Sequence, residues 1–176
     1  PPDLDSVLDY IKVNNLSIAG ALLTHGHYDH ALGLSMFDGH AYINLDDEFL
    51  ARNPDEQIKS FIGQDVDIEE YNGELKSIDT LNSDYIIVHK NPGHTKGSVS
   101  YEFPNEGLIF TGDFVFKDSI GRTDLFSGSM DQMNTSLRET FLNFEEEFEI
   151  LPGHGPSGKV RSIKNNNEYI KVLLND

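Results

Sequence analysis

The stretch Thr24-His25-Gly26-His27-Tyr28-Asp29-His30 decides how this chain is interpreted. It follows an apolar run over residues 17–24 that is typical of a buried strand. Alternating imidazole and carboxylate groups directly after a strand end can point to two sides of one loop. The spacing therefore predicts a loop that supplies ligands to two neighbouring metal ions. The alternative is a polar loop that is rich in histidine by coincidence.

Three further segments each place one candidate ligand after a predicted strand. His94 lies in Pro92-Gly93-His94-Thr95-Lys96-Gly97-Ser98, and His154 lies in Pro152-Gly153-His154-Gly155. In both segments Pro-Gly permits a sharp turn that presents the imidazole at the strand end. Asp113 follows the apolar strand predicted at residues 108–111, where an uncompensated carboxylate is costly. A bound cation is the simplest partner for Asp113.

Composition restricts the class of protein. The 176 residues include no cysteine, so any metal must be held by His, Asp or Glu. The 13 basic and 30 acidic residues give a net charge of −17, which repels nucleic acid and anionic membranes. We therefore expect neither as a partner. No apolar run has the length of a membrane span and no signal peptide is evident, so we expect a cytoplasmic protein.

Helical patterns at both ends enclose strand-like segments, which predicts an α/β protein. A helix is expected over residues 4–11 with Asp3 as its cap, another from Ser129 to about Phe144, and a last one over residues 160–173. Residues 53–71 are polar and weakly periodic and are expected to form an irregular helical or loop insertion. No repeat or linker is evident, so residues 1–176 are expected to form a single domain.

Taken in order, these motifs resemble the successive metal motifs of the metallo-β-lactamase superfamily. Within it, the chain is most similar to single-domain glyoxalase II-like hydrolases of the hydroxyacylglutathione hydrolase type. The loop Ser119-Ile120-Gly121-Arg122-Thr123-Asp124 and the Gly-Pro after His154 carry this closer likeness, and the resemblance extends from Leu4 to about Ile170. It implies a four-layer αβ/βα sandwich with a dinuclear metal site at one edge of the paired sheets.

The resemblance also implies which residues bind the two divalent ions. The first ion is assigned to His25, His27 and His94, and the second to Asp29, His30 and His154. Asp113 is expected to bridge the two ions, and Asp29 and Asp113 are the expected catalytic residues. Ligation by nitrogen and oxygen alone suits zinc, which is expected here, and it also suits iron or manganese.

Such a site predicts a metal-dependent hydrolase that cleaves a small acyl thioester by a metal-bridging hydroxide. A thioester suits this chemistry because a thiolate leaves without a strong general acid. Lys117 and Arg122 are candidate anchors for a substrate carboxylate, the alternative being ordinary surface charge. Tyr28 is expected either to line the pocket or simply to contribute to the core. His40 and His89 match no motif.

The chain departs from the family at its ends. Members usually begin with a strand pair and an Asp-Pro-Gly loop, and neither precedes the first predicted helix here. We therefore expect an N-terminally incomplete domain whose sheet has an unprotected edge. The glutathione-binding helical domain of longer glyoxalase II enzymes is also absent from the sequence, so glutathione as the thiol is inferred only from relatives.

Three other functions compete with thioester hydrolysis. A mononuclear iron persulfide dioxygenase of the same superfamily shares a loop like Gly121–Asp124, but that branch tends to lose the second metal site, whose residues are complete here. A phosphodiesterase or nuclease, or another hydrolase of this fold, is the next alternative, and the net charge opposes nucleic acid. A non-catalytic module is disfavoured because every expected ligand is present.

Overall fold

The computed structural model describes residues 4–36, 39–65, 68 and 71–175. The chain divides into two compact units, Pro1–Thr80 and Leu81–Asp176, and each unit contains one β-sheet. The predicted cap Asp3 lies outside the described residues. None of the helices in the described part of the chain combines the length and the apolar character that crossing a lipid bilayer requires.

The first unit alternates short helices with short strands. In chain order its elements are α1 (Leu4–Val13), β1 (Ala21–Leu22), α2 (Tyr28–Ala31), β2 (Ala41–Ile43), α3 (Glu48–Arg52), α4 (Pro54–Ile62) and β3 (Leu75–Ser77). The described residues of this unit also form 3-10 turns at Leu32–Met36, Leu45–Asp47 and Ile78–Thr80. The strands pair in parallel in the order β1-β2-β3.

Small and branched apolar side chains form the core of the first unit. This core consists of Leu23, Ala31, Leu34, Ala41, Ile43 and Ala51. Parallel strands require connections that cross over the sheet, and here helices and 3-10 turns provide them. Because β1 ends at Leu22, the histidine-rich loop begins at the carboxyl end of this small parallel sheet.

The second unit is built around a five-stranded sheet. Its elements are β4 (Ile87–Lys90), β5 (Val99–Phe103), β6 (Leu108–Gly112), α5 (Met130–Glu139), β7 (Glu149–Pro152), β8 (Gly158–Lys159), α6 (Val160–Asn166) and α7 (Glu168–Asn175), with a 3-10 turn at Phe141–Asn143. The strand order is β4-β5-β6-β7-β8, and only the β6–β7 pair is parallel. The helix α5 lies on the connection between these two parallel strands.

The core of the second unit joins the sheet to the helices that follow it. Its fully buried members include Ile109, Met133, Phe141, Ile150 and Ile170. They come from β6, α5, the 3-10 turn, β7 and α7, so helices distant in sequence cover the same face of the sheet. Burial of side chains of this size is the main favourable contribution to the stability of such a unit.

Several sequence-based boundaries are corrected by the structure. The strand expected over residues 17–24 is only Ala21–Leu22, and the segment expected to be an irregular helical or loop insertion contains the regular helix α4. That helix begins with Pro54, which suits a first helical position, and ends at Gly63 in the left-handed conformation with φ 69°. The expected helix from Ser129 is confirmed with Ser129 as its cap, but it ends at Glu139 before the 3-10 turn.

The single helix expected over residues 160–173 is wrong, because the structure divides it into α6 and α7 at Asn167. The buried side chain of Asn167 accepts hydrogen bonds from the backbone nitrogens of Tyr169 and Ile170, at 3.0 and 3.3 Å. Its amide nitrogen donates to the carbonyl oxygens of Phe116 and Ser119. An asparagine that caps the next helix competes with continuation of the first one.

Replacing Phe141 with alanine is expected to lower the free energy of unfolding by about 3–5 kcal/mol, because the ring is fully buried and lies edge-on to Phe144. Urea unfolding followed by circular dichroism measures the loss. Tyr169→Ala is the matched control, since that aromatic residue is about half exposed. Equal losses in the two variants would contradict the assignment of Phe141 to the core.

Candidate metal centre

The first unit gathers the four predicted ligands of the histidine-rich loop. His27 has extended backbone, with φ −66° and ψ 148°, and α2 begins at the next residue. His25 and His27 therefore precede the helix, whereas Asp29 and His30 lie on its first turn.

Within this loop the side chains are close to one another. The ring centroids of His25 and His27 are 4.9 Å apart, and those of His25 and His30 are 4.2 Å apart. Asp29 Oδ2 lies 3.6 Å from His30 Nε2. His25 and His27 are buried, whereas Asp29 and His30 are half-buried. The structure thus brings all four predicted ligands of the first unit into one cluster.

In the second unit, three strands deliver one candidate ligand each to the same edge of the sheet. His94 follows β4, Asp113 follows β6 and His154 follows β7. The strands β4 and β6 are both antiparallel to β5, and β7 is parallel to β6, so all three run in the same direction. Their carboxyl ends therefore share an edge, which is why residues up to 60 positions apart meet there.

Asp113 lies between the two imidazoles of this edge. Its Oδ2 is 3.6 Å from Nε2 of His94 and also 3.6 Å from Nε2 of His154. These distances are long for hydrogen bonds. They are close to the spacing of about 3.4 Å between two ligand atoms that each lie about 2.1 Å from one tetrahedral ion. The donor set and its spacing therefore fit a divalent metal.

A backbone carbonyl fixes the ring of His94. Nδ1 of His94 lies 2.7 Å from the carbonyl oxygen of Arg122, and because a carbonyl only accepts, Nδ1 must carry the proton. The lone pair of the neutral imidazole is then on Nε2, the atom that faces Asp113.

Glycine is required at position 121, because a Cβ there would overlap the carbonyl oxygen of Asp113.

Two residues that the sequence did not single out contact the backbone of the histidine-rich loop. The carboxylate of Asp47 accepts a hydrogen bond from the backbone nitrogen of Gly26 at 2.9 Å, and Gln57 accepts one from the backbone nitrogen of Tyr28 at 3.1 Å. No local pattern marks them, since they are 21 and 29 residues away from their partners. Only the tertiary structure identifies them.

The predicted substrate anchors are on the surface of the second unit. Lys117 and Arg122 are exposed. The guanidinium of Arg122 donates from Nε and Nη2 to the two carboxylate oxygens of Asp124, at 2.7 and 2.8 Å. This pairing lowers the pKa of Asp124 to about 2. A substrate carboxylate at Arg122 would therefore compete with Asp124 for the same donors.

The remaining predicted positions have structural contacts. Tyr28 is half-buried at the start of α2. His89 Nε2 lies 2.6 Å from Glu102 Oε2 on the neighbouring strand, and its ring lies edge-on to Phe144. The ring of His40 lies edge-on to Tyr42. Cross-strand and aromatic contacts thus account for the two histidines outside the motifs.

Comparison with known proteins identifies relatives over nearly the whole chain. A family model described as the Metallo-beta-lactamase superfamily matches residues 2–154. A probable metallo-hydrolase of Streptococcus pyogenes is 31% identical over 175 residues, which cover 93% of this chain and 75% of the relative. The hydroxyacylglutathione hydrolase GloC of Haemophilus influenzae is 28% identical over 179 residues, covering 96% of this chain and 83% of the relative.

The same likeness holds in three dimensions. The crystal structure of the B3 metallo-beta-lactamase BLEG-1 superposes with a TM-score of 0.82 at 27% identity, covering 96% of this chain and 84% of that one. The predicted α/β fold of the metallo-β-lactamase type is therefore confirmed.

The pairing of Arg122 with Asp124 predicts a specific pH dependence. Because the pKa of Asp124 falls from 3.8 to about 2, the pair is fully formed above pH 3.8 and is lost as the pH falls through about 2. Carboxyl chemical shifts measured by NMR should titrate near that lower value. In Arg122→Gln the midpoint should return toward 3.8, and an unchanged midpoint would show that Arg122 is not the cause.

Proposed function

The chain belongs to the metallo-β-lactamase superfamily as a metallo-hydrolase, and on that premise we propose that it hydrolyses a small acyl thioester at a dinuclear metal centre. The thioester is of the hydroxyacylglutathione class, the substrate named for the Haemophilus influenzae relative. That relative supports the substrate class, and the ligand residues of each unit support the reaction type.

The position of Asp113 carries the proposal. His94 and His154 belong to different ions in the proposed ligand set, and Oδ2 of Asp113 is equally close to Nε2 of both. A carboxylate in that position suits a ligand shared by two ions. The proposed first ion is held by His25, His27 and His94, and the second by Asp29, His30 and His154.

The pairing inside the histidine-rich loop agrees with this assignment. His25 and His27 both precede α2, and Asp29 and His30 share its first turn. In the proposed ligand set, each pair of neighbouring ligands from this loop therefore lies on one side of the start of α2. Zinc is the proposed metal because imidazole and carboxylate ligands suit it, and iron or manganese fit the same donors.

When bound, the two ions supply a water of lowered pKa as nucleophile and polarise the carbonyl of the thioester. The chain's own residues contribute orientation and charge. Asp113 neutralises part of the positive charge of the centre, and the proton held on Nδ1 of His94 keeps its Nε2 available as a ligand. No strong general acid is required, because the thiolate is a good leaving group.

Metal analysis combined with a thioester assay tests the proposal. Protein purified without added metal or chelator is expected to contain about two divalent ions per chain and to hydrolyse S-lactoylglutathione. Free thiol released over time measures the reaction. A single iron per chain, with oxygen consumed in the presence of a persulfide and no thioester hydrolysis, would replace the hydrolase with the dioxygenase alternative.

The variant Asp113→Ala should lose both metals and all measurable turnover, because it removes the shared ligand. Asp118→Ala is the matched control, since Asp118 is an exposed aspartate only five residues further along the chain. Full metal content in Asp113→Ala would disprove the bridging role. Equal losses in both variants would point to general damage to the loop.

Arg122 is the proposed anchor for the substrate carboxylate, with Lys117 as a second cation and Tyr28 as a residue of the pocket wall. We expect Arg122→Ala to raise KM by roughly 3–10-fold with little change in kcat, because an exposed ion pair contributes modestly and binds rather than reacts. Asp124→Asn should lower KM, since it removes the carboxylate that occupies the guanidinium. A fall in kcat alone for Arg122→Ala would contradict the anchor role.

A further inference from the structure

The side chains of two residues hold three consecutive peptide groups around His27. The backbone nitrogen of Gly26 donates to Asp47 Oδ2 at 2.9 Å. The carbonyl oxygen of Gly26 accepts from Gln57 Nε2 at 3.3 Å, and the backbone nitrogen of Tyr28 donates to Gln57 Oε1 at 3.1 Å. Every peptide from the carbonyl carbon of His25 to the nitrogen of Tyr28 is therefore anchored from outside the loop.

The two anchoring residues are themselves well fixed. Asp47 is fully buried at the end of the 3-10 turn Leu45–Asp47. Gln57 lies on α4, and its Nε2 also donates to the carbonyl oxygen of Leu50 at 2.6 Å, which ties α4 to α3. The segment from residue 45 to residue 62 thus supports one side of the loop through these contacts.

The loop lies so close to this support that only glycine fits between the two histidines. A Cβ at Gly26 would lie 2.5 Å from the carbonyl oxygen of Asp47 and 2.8 Å from Cβ of Leu50. Both distances are well below van der Waals contact. The glycine therefore permits the approach that makes the hydrogen bond to Asp47 possible.

We propose that Asp47 and Gln57 are positioning residues of the metal centre, which hold the backbone of His25 and His27 so that both imidazoles enter as ligands. These contacts hold the peptides on both sides of His27 and the peptide that follows His25, so the position of the His27 imidazole then depends mainly on its side-chain torsions. Metal ligands must be held to within about 0.5 Å of their productive geometry, which a loop without external anchors rarely achieves. This inference rests on the proposed function for the ligand roles of His25 and His27.

Zinc affinity, measured by competition with a chromophoric chelator, tests the positioning role. Asp47→Ala and Gln57→Leu are each expected to weaken zinc binding by roughly 10–100-fold, the range found when residues that orient metal ligands are removed. Asp47→Asn keeps an oxygen acceptor for the nitrogen of Gly26, so it should restore affinity to within several-fold of the parent protein. The visible spectrum of the cobalt-loaded protein should change in the first two variants and recover in the third.

Arg52→Leu serves as the matched control. Arg52 is half-buried on α3 and donates to Glu48 and to the carbonyl oxygen of Tyr71, so its loss perturbs the same support without releasing the histidine-rich loop. Its zinc affinity should equal that of the parent protein. If Arg52→Leu weakened zinc binding as much as Gln57→Leu, the effect would be general loss of structure and the positioning role would be overturned.

The remaining outcomes are also decisive. Unchanged affinity and cobalt spectrum in Gln57→Leu, in a parent protein that binds zinc, would overturn the inference and leave the proposed function intact. Should Asp47→Ala fail to fold, Gln57→Leu and Asp47→Asn decide the question. A parent protein that binds no zinc, cobalt or iron would overturn the proposed function, and this inference would fail with it.

Discussion

The carboxylate of Asp113 lies between two imidazoles at an edge where three strands of one sheet end together. This convergence follows from the order and direction of the strands. Because β5 is antiparallel to both β4 and β6, those two strands run in the same direction, and the connection that contains α5 lets β7 run parallel to β6. Hydrogen-bonded strands thereby place His94, Asp113 and His154 without any local sequence signal that relates them. The sheet therefore sets the spacing of the three candidate metal ligands of this unit.

In both units, hydrogen bonds that involve the backbone hold the candidate ligands. In the second unit the carbonyl oxygen of Arg122 holds Nδ1 of His94, and in the first unit Asp47 and Gln57 hold the peptides on either side of His27. Such contacts restrict the candidate ligands before a metal binds. Less conformational entropy would then be lost when it does bind. Glycines at the closest approaches, Gly26 and Gly121, are part of the same arrangement.

The net charge of the whole protein and the charge of the proposed metal centre have opposite signs. A net charge of −17 repels anionic molecules at long range, whereas two divalent ions would create a local positive potential at the proposed centre. Arg122 is exposed, and its guanidinium is already paired with Asp124. An anionic thioester would therefore exchange one carboxylate for another at this position, which limits the gain in affinity that one arginine provides.

The sequence by itself determined the α/β class, the family motifs and the candidate ligands, because strand ends followed by His, Asp and Pro-Gly are local signals. It failed where distant residues decide the outcome. The buried Asn167 breaks the last predicted helix through contacts with residues about 50 positions away, and the regular helix α4 lies in a segment for which the sequence predicted only an irregular helical or loop insertion. Only the tertiary structure decided which side chains anchor the histidine-rich loop, because hydrogen bonds between residues 20 or more positions apart leave no periodic pattern in the sequence.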